Sequence, residues 1–100
     1  MIKYIVEVYT SKRDTNGNRY HTARIISTES SNVLVVRGLG CESDAVRECC
    51  KSGVHHTDIY QSFHSNVSKR EVLKMGESAK APWPHDVTAK MLLDLHKVQS

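Results

Sequence analysis

The stretch "YIVEVYTSKRDTNGNRYHTARIIST", Tyr4 to Thr28, decides how this chain is read. Its first part alternates. Tyr4, Val6 and Val8 fall on one face of a strand, and Ile5, Glu7 and Tyr9 on the other. The β-branched and aromatic residues agree with that period. Its last part alternates too, with His21, Ala23 and Ile25 opposed to Tyr20, Thr22, Arg24 and Ile26. Between the two runs stands Asn16-Gly17, and an Asn-Gly pair supplies the positive φ angles of a tight hairpin turn. The spacing of Asp14, Asn16 and Asn18 also suggests the start of a calcium loop. Such a loop needs glycine at its sixth position and glutamate at its twelfth. Counted from Asp14, those places hold Arg19 and Ile25. The flanks are strands rather than helices, so Asp14 and its neighbours read as turn residues that bond nearby backbone.

Working outward, Glu29–Asn32 forms a second turn, and "VLVVR", Val33–Arg37, reads as a third strand, central in the sheet or buried on both faces. "SDAVRECCKSG" reads as a helix with Ser43 as N-cap, Asp44 in the first turn and Gly53 at its close. Its buried face would carry Ala45, Val46, Cys49 and Cys50. In "HTDIYQSFH" both periods fit, since Ile59, Gln61 and Phe63 alternate while Ile59, Phe63 and Val67 keep helical spacing. The aromatic and β-branched content favours a strand over 57–64. "VSKREV" holds a capping box, Ser68 with Glu71, and a staple, Val67 with Val72. That helix runs through Leu73 and Met75 and ends before Pro82. "APWPHD" is a rigid connector with Trp83 as an anchor, and Asp86 is placed to cap a last helix with the stripe Val87, Met91, Leu92, Leu95 and Val98.

The order β-β-β-α-β-α-α defines an α+β fold: an antiparallel sheet of three or four strands beginning with an N-terminal hairpin, with helices packed on one face. The 100 residues form one domain, with 1–40 as hairpin plus third strand and 41–100 mostly helical with one candidate strand. One Trp, one Phe and four Tyr leave a modest core, to which homo-oligomerisation is a natural supplement. The formal charge of +3 falls short of a dedicated nucleic-acid binder. Three cysteines, two of them adjacent, without a secretory signal or a segment long enough to span a bilayer, suggest a reduced, cytoplasmic protein.

Sites of chemistry are few. "GLGCESD" resembles a phosphate-binding turn but lacks the third glycine of a dinucleotide fingerprint and the Lys-Ser/Thr of a P-loop. Glu42 and Asp44 would repel an anion there. His55, His56 and His64 lie near Cys49 and Cys50 in sequence, with no C-x-x-C pair, and His55 and His56 would point apart on a strand. Neither a metal nor a cofactor is expected. Cys49 and Cys50 fall on a buried helix face, where thiols are usually unreactive, and no paired carboxylates stand out, so no catalytic residue is assigned and the chain is not read as an enzyme. The arginines carry more information. Arg24 interrupts and Arg37 ends an apolar strand, while Arg13 and Arg19 flank the hairpin tip. A guanidinium in such a place must find water, a carboxylate or a ligand phosphate, so these four are the candidate ligand-binding residues, with Tyr4, Tyr9, Tyr20 or Tyr60 as neighbours. Lys69, Arg70 and Lys74 form a second basic cluster.

"YIVEVYTSKRDTNGNRYHTARI", followed by "ESDA", resembles the opening of small proteins encoded by tailed bacteriophages. The resemblance covers the first half of the chain and carries over no site residue. It implies an accessory or anti-defence protein that blocks host machinery or sequesters a nucleotide signal. The reading is a non-enzymatic intracellular binding protein that occupies a host protein or holds a phosphorylated, nucleotide-like ligand. The alternatives are a nucleic-acid-binding module using Lys69, Arg70 and Lys74, and a Cys/His metal protein.

Overall fold

Alternation in the two N-terminal runs becomes sheet. A computed structural model describes residues 1–78 and 80–98. Strand β1, Tyr4–Ser11, pairs antiparallel with β2, His21–Ser27, which pairs antiparallel with β3, Val33–Leu39. The expected fourth strand, β4 at Ile59–Val67, joins the other side of β1 and runs parallel to it, so the order is β3-β2-β1-β4. The fold is α+β with an N-terminal hairpin, and the sheet departs from the antiparallel expectation only at β4. A parallel neighbour needs a crossover. Helix α1, Asp44–Lys51, supplies it between β3 and β4. The third strand is an edge rather than the centre, because β1 pairs on both sides and leaves β3 outside β2. Val33 is accordingly exposed.

The periodicity of β1 and β2 places the core. Tyr4, Val6, Val8, Ala23 and Ile25 meet Ala45 and Cys49 of α1 and Leu92 and Leu95 of α3, Ala89–Leu95. The core thus draws on both halves of the chain. Helix α2, Lys69–Met75, reaches the sheet elsewhere: Val72 is fully buried, and its carbonyl accepts a 2.8 Å bond from the Thr22 hydroxyl, a side chain of the opposite parity to Ala23. Ser68 caps α2 by accepting the Glu71 N–H at 3.2 Å. This is the expected half of a capping box.

The chain then wraps the β3 edge. The Arg37 N–H bonds the Pro82 carbonyl, and the Arg37 side chain bonds the Ala81 carbonyl at 2.7 Å and the Ser78 carbonyl at 3.2 Å. Trp83 lies on Gly38, which has φ +65, and under the Arg37 guanidinium, 5.4 Å from its ring centroid. The indole is 49% exposed, an anchor laid on the surface rather than sunk in the core.

Four local expectations are corrected. Asn16 does not take positive φ; Gly17 alone does, at +80, in a loop wider than a two-residue turn. Asp14 organises that loop, its carboxylate accepting the N–H groups of Asn16 and Asn18 at 2.9 Å each and the Tyr20 hydroxyl at 3.2 Å. Ser43 makes no side-chain cap. Asp44 reaches back instead to the N–H groups of Gly40 and Cys41, because the strand-to-helix turn folds over its carboxylate. Cys50 is exposed while Cys49 is buried, since neighbouring helix positions lie about 100° apart and the core takes one of them. Asp86 sits in a 3₁₀ turn, Pro84–Asp86, and Thr88 caps α3 through the Met91 N–H; with the start shifted, Met91 and Val98 are exposed.

The serine and asparagine of the β2–β3 turn hold the far end of α3. The Leu95 carbonyl accepts bonds from the Ser30 hydroxyl and from the Asn32 amide at 3.0 Å, and that amide also donates to the Lys97 carbonyl at 2.7 Å. Helix-end carbonyls without intrahelical partners are satisfied in this way.

Two outcomes are expected. A methyl group at Gly38 would lie 2.1 Å from the Trp83 ring at a positive φ, so Gly38→Ala should cost about 2 kcal/mol in urea unfolding, and less in a Trp83→Ala background where the clash is gone. The Asn18 N–H foremost, then the Asn16 N–H, the Tyr20 hydroxyl and Lys69, outweigh desolvation and hold the Asp14 carboxyl below its usual range. A depressed carboxyl stabilises the fold above its unfolded pKa, about 3.9, and the contribution is lost as pH falls through the lower folded value. Asp14→Asn should therefore lower the melting temperature at neutral pH and show a smaller further loss in acid, read by thermal scans across pH 2–7.

Candidate binding surface

The face of the sheet opposite the core is covered by α2 only toward the hairpin. Elsewhere a polar row crosses it, built by register. Arg24 stands directly opposite Glu7, and Tyr9 directly opposite His64. The Arg24 guanidinium lies 3.4 Å from the Glu7 carboxylate, and the same oxygen accepts the Tyr9 hydroxyl at 3.1 Å. The Tyr9 ring stacks on the imidazole of His64 with centroids 4.6 Å apart and planes 11° from parallel, and His64 bonds the Ser62 hydroxyl at 3.1 Å. Ile5 and Ile26 flank the row half-buried, while Val33 at 41% and Tyr60 at 59% stand into solvent. The row is ordered by its own contacts, so a partner would meet it with little side-chain entropy left to lose.

The four arginines separate. Arg24 lies in this row, answered by a carboxylate. Arg37 is spent on carbonyls at the β3 edge. Arg13 bonds the Gly17 carbonyl of its own loop at 3.0 Å. Arg19 lines a cleft of about 450 Å³ with His21, Cys41, Glu42, Ser43 and Phe63. They do not converge on one ligand. Of the tyrosines, Tyr4 points into the core and donates to the Leu92 carbonyl at 2.9 Å, and Tyr20 joins Asp14. Lys69 bridges to Asp14 at 3.5 Å and lies over Tyr20, while Arg70 and Lys74 are exposed.

Sequence reasoning missed Glu7, His64 and Ser62 as members of a shared site. The Glu7–Arg24 pair was within reach once the hairpin was read, because alternation put both residues on one face. The Tyr9–His64 pair depends on the parallel register of β4, for which the sequence offers no local signal.

Asp44, His55 and His56 have structural partners. The "GLGCESD" N–H groups of Gly40 and Cys41 are taken by Asp44, whose carboxyl is held below its usual range first by the Cys41 thiol and then by those two N–H groups. His55 and His56 precede β4, and their rings stack at 4.7 Å instead of pointing apart. Among the described residues no group of three or more His, Cys, Asp or Glu side chains is gathered as for a metal ion. A second cleft, of about 400 Å³, lies between Lys3, Glu29, His55, Asp58, Leu93 and His96, with both signs of charge on its walls. No described helix is long and apolar enough to cross a membrane.

Comparison with family models, with curated proteins and with solved structures finds no match to this chain.

Burial, then Cys50 and Glu48, pushes the Cys49 thiol up to about 12. A thiol needs its thiolate form to react. Alkylation at neutral pH should modify exposed Cys50 and leave Cys49 intact until the protein is unfolded, as read by peptide mass spectrometry.

Proposed function

We propose that this chain is a non-enzymatic binding protein that acts by occupying a partner protein with the open part of its sheet. The observation that carries this reading is the preordered row Arg24–Glu7–Tyr9–His64 beside exposed Tyr60 and Val33. Tyrosine and arginine on a flat, fixed scaffold are the residues that dominate protein interfaces. Glu7 takes one side of the Arg24 fork, and a guanidinium carries five N–H donors, so capacity remains for a carboxylate or carbonyl of the partner. A dense phosphate is a poorer match, because Glu7 already neutralises Arg24 and would repel it. The blocking role implied by the phage resemblance is of the same kind.

A phosphorylated small ligand would instead look to the Arg19 cleft, whose volume suits one but whose wall includes Glu42. The test is quantitative affinity capture from cells making the protein, comparing wild type with Arg24→Ala/Tyr60→Ala and with Arg19→Ala, each folded by circular dichroism. A captured protein lost about thirty-fold in the first variant and kept in the second supports the sheet face. Equal recovery in the first variant, or a nucleotide lost only with Arg19→Ala, overturns it.

A further inference from the structure

The two edges of the sheet are treated differently. The β3 edge is covered by the wrapped segment, with the Arg37 N–H bonded to Pro82 and Trp83 laid on Gly38. Natural proteins protect edges with such covering segments, and with charges, prolines and bulges, because a bare edge offers unpaired N–H and C=O groups to another strand. The β4 edge has none of these along Ile59–His64. The stretch "IYQSFH" carries no Lys, Arg, Asp, Glu or Pro. It keeps regular register with β1 up to His64, and the irregularity begins only beyond, where Asn66 takes φ +60. Among the described residues no element other than β1 makes extensive contact with it. Tyr60 and Phe63 project on opposite sides of this edge, 59% and 51% exposed.

We infer that β4 pairs antiparallel with β4 of a second copy of this chain, about a two-fold axis through Ser62. The exposed groups of a strand edge are those that another extended strand satisfies, which fixes the kind of partner. Three features select the same strand of a second copy. The regular run is Ile59–His64, and a two-fold through Ser62 pairs its Tyr60–His64 part with itself and stops on both sides where the irregularity beyond His64 begins. That register sets Tyr60 opposite His64 and Gln61 opposite Phe63, aromatic and polar pairs with no like charges opposed. The ends are also complementary. Asp58 precedes the strand and Arg70, exposed, follows it, while Lys69 is held by Asp14 of its own chain; antiparallel pairing brings the acidic end of one copy toward the basic end of the other. The result is one continuous sheet, β3-β2-β1-β4-β4-β1-β2-β3, closed by symmetry and with guarded edges at both ends. The inference shares Tyr60 and His64 with the partner-binding reading, but its variants at Gln61 and Phe63 leave the residues of that reading in place, so the failure of one is distinguishable from the failure of the other.

The test is analytical ultracentrifugation with two designed variants. In Gln61→Lys/Phe63→Lys the two-fold sets lysine against lysine twice; in Gln61→Lys/Phe63→Glu it sets lysine against glutamate twice. Both sites are exposed. Wild type should sediment as a dimer, the first variant should dimerise roughly ten-fold more weakly, and the second should recover. Amide exchange of wild type gives a readout without mutation, since protection of Tyr60–His64 should rise with protein concentration while that of β3 stays constant. A monomeric wild type, a first variant as dimeric as wild type, or concentration-independent exchange in β4 would overturn the inference.

Discussion

The contact of Trp83 with Gly38 and Arg37 is the constraint on which the layout of this fold turns. Helix α2 meets the sheet through Thr22, on the parity opposite Ala23, whereas α3 packs with Ala23 and Ile25 in the core. The chain must pass from one to the other around an edge of the sheet. It does so at β3, and three features there work only together. Gly38 leaves room for the indole, Arg37 supplies a backbone bond and two side-chain bonds to the passing segment, and the prolines on either side of Trp83 limit its conformations. The arginine that looked like a ligand group is therefore a structural clasp. Its donors meet the Ala81 carbonyl and add a second bond to the Ser78 carbonyl, which also accepts the Ala81 N–H.

The same economy governs the other charged residues. Asp14 turns a loop that resembles a metal site into one that ties itself, and Asp44 does so for the glycine-rich turn before α1. In both places an internal carboxylate occupies the N–H groups that an exogenous anion would have used. Such groups are strong acceptors, and their lowered pKa values follow from the bonds they make. Beside the two clefts, what is left unabsorbed is surface: the sheet face around Arg24 and Glu7, and the β4 edge. A binding protein with those two features would act through shape and strand pairing instead of through a reactive group, and the two surfaces could be used together, since edge pairing about an axis normal to the sheet keeps both open faces on one side.

Residue order alone determined much of this protein. Period-two alternation fixed the faces of β1 and β2, because a strand side chain has two directions to choose from and burial selects one. The Ser68 cap was legible because its partner lies three residues away. Fold class followed from the sequence of periods, and Cys49 read as a core residue from helical spacing.

Tertiary structure decided what depends on distant partners. Whether β3 is central or an edge is a question of which strand takes the second side of β1, and the answer, β4, arrives after a crossover whose length says nothing about register. Tyr9 and His64 are 55 positions apart in the chain and meet only because the parallel ladder sets them opposite. Arg24 and Arg37 look alike in sequence, each an arginine beside apolar strand residues. One faces a carboxylate across a hairpin and the other grips a segment more than 40 positions later. Local sequence dictates that a buried or half-buried charge must be answered, since leaving it unpaired is costly. Only the fold supplies the answering group.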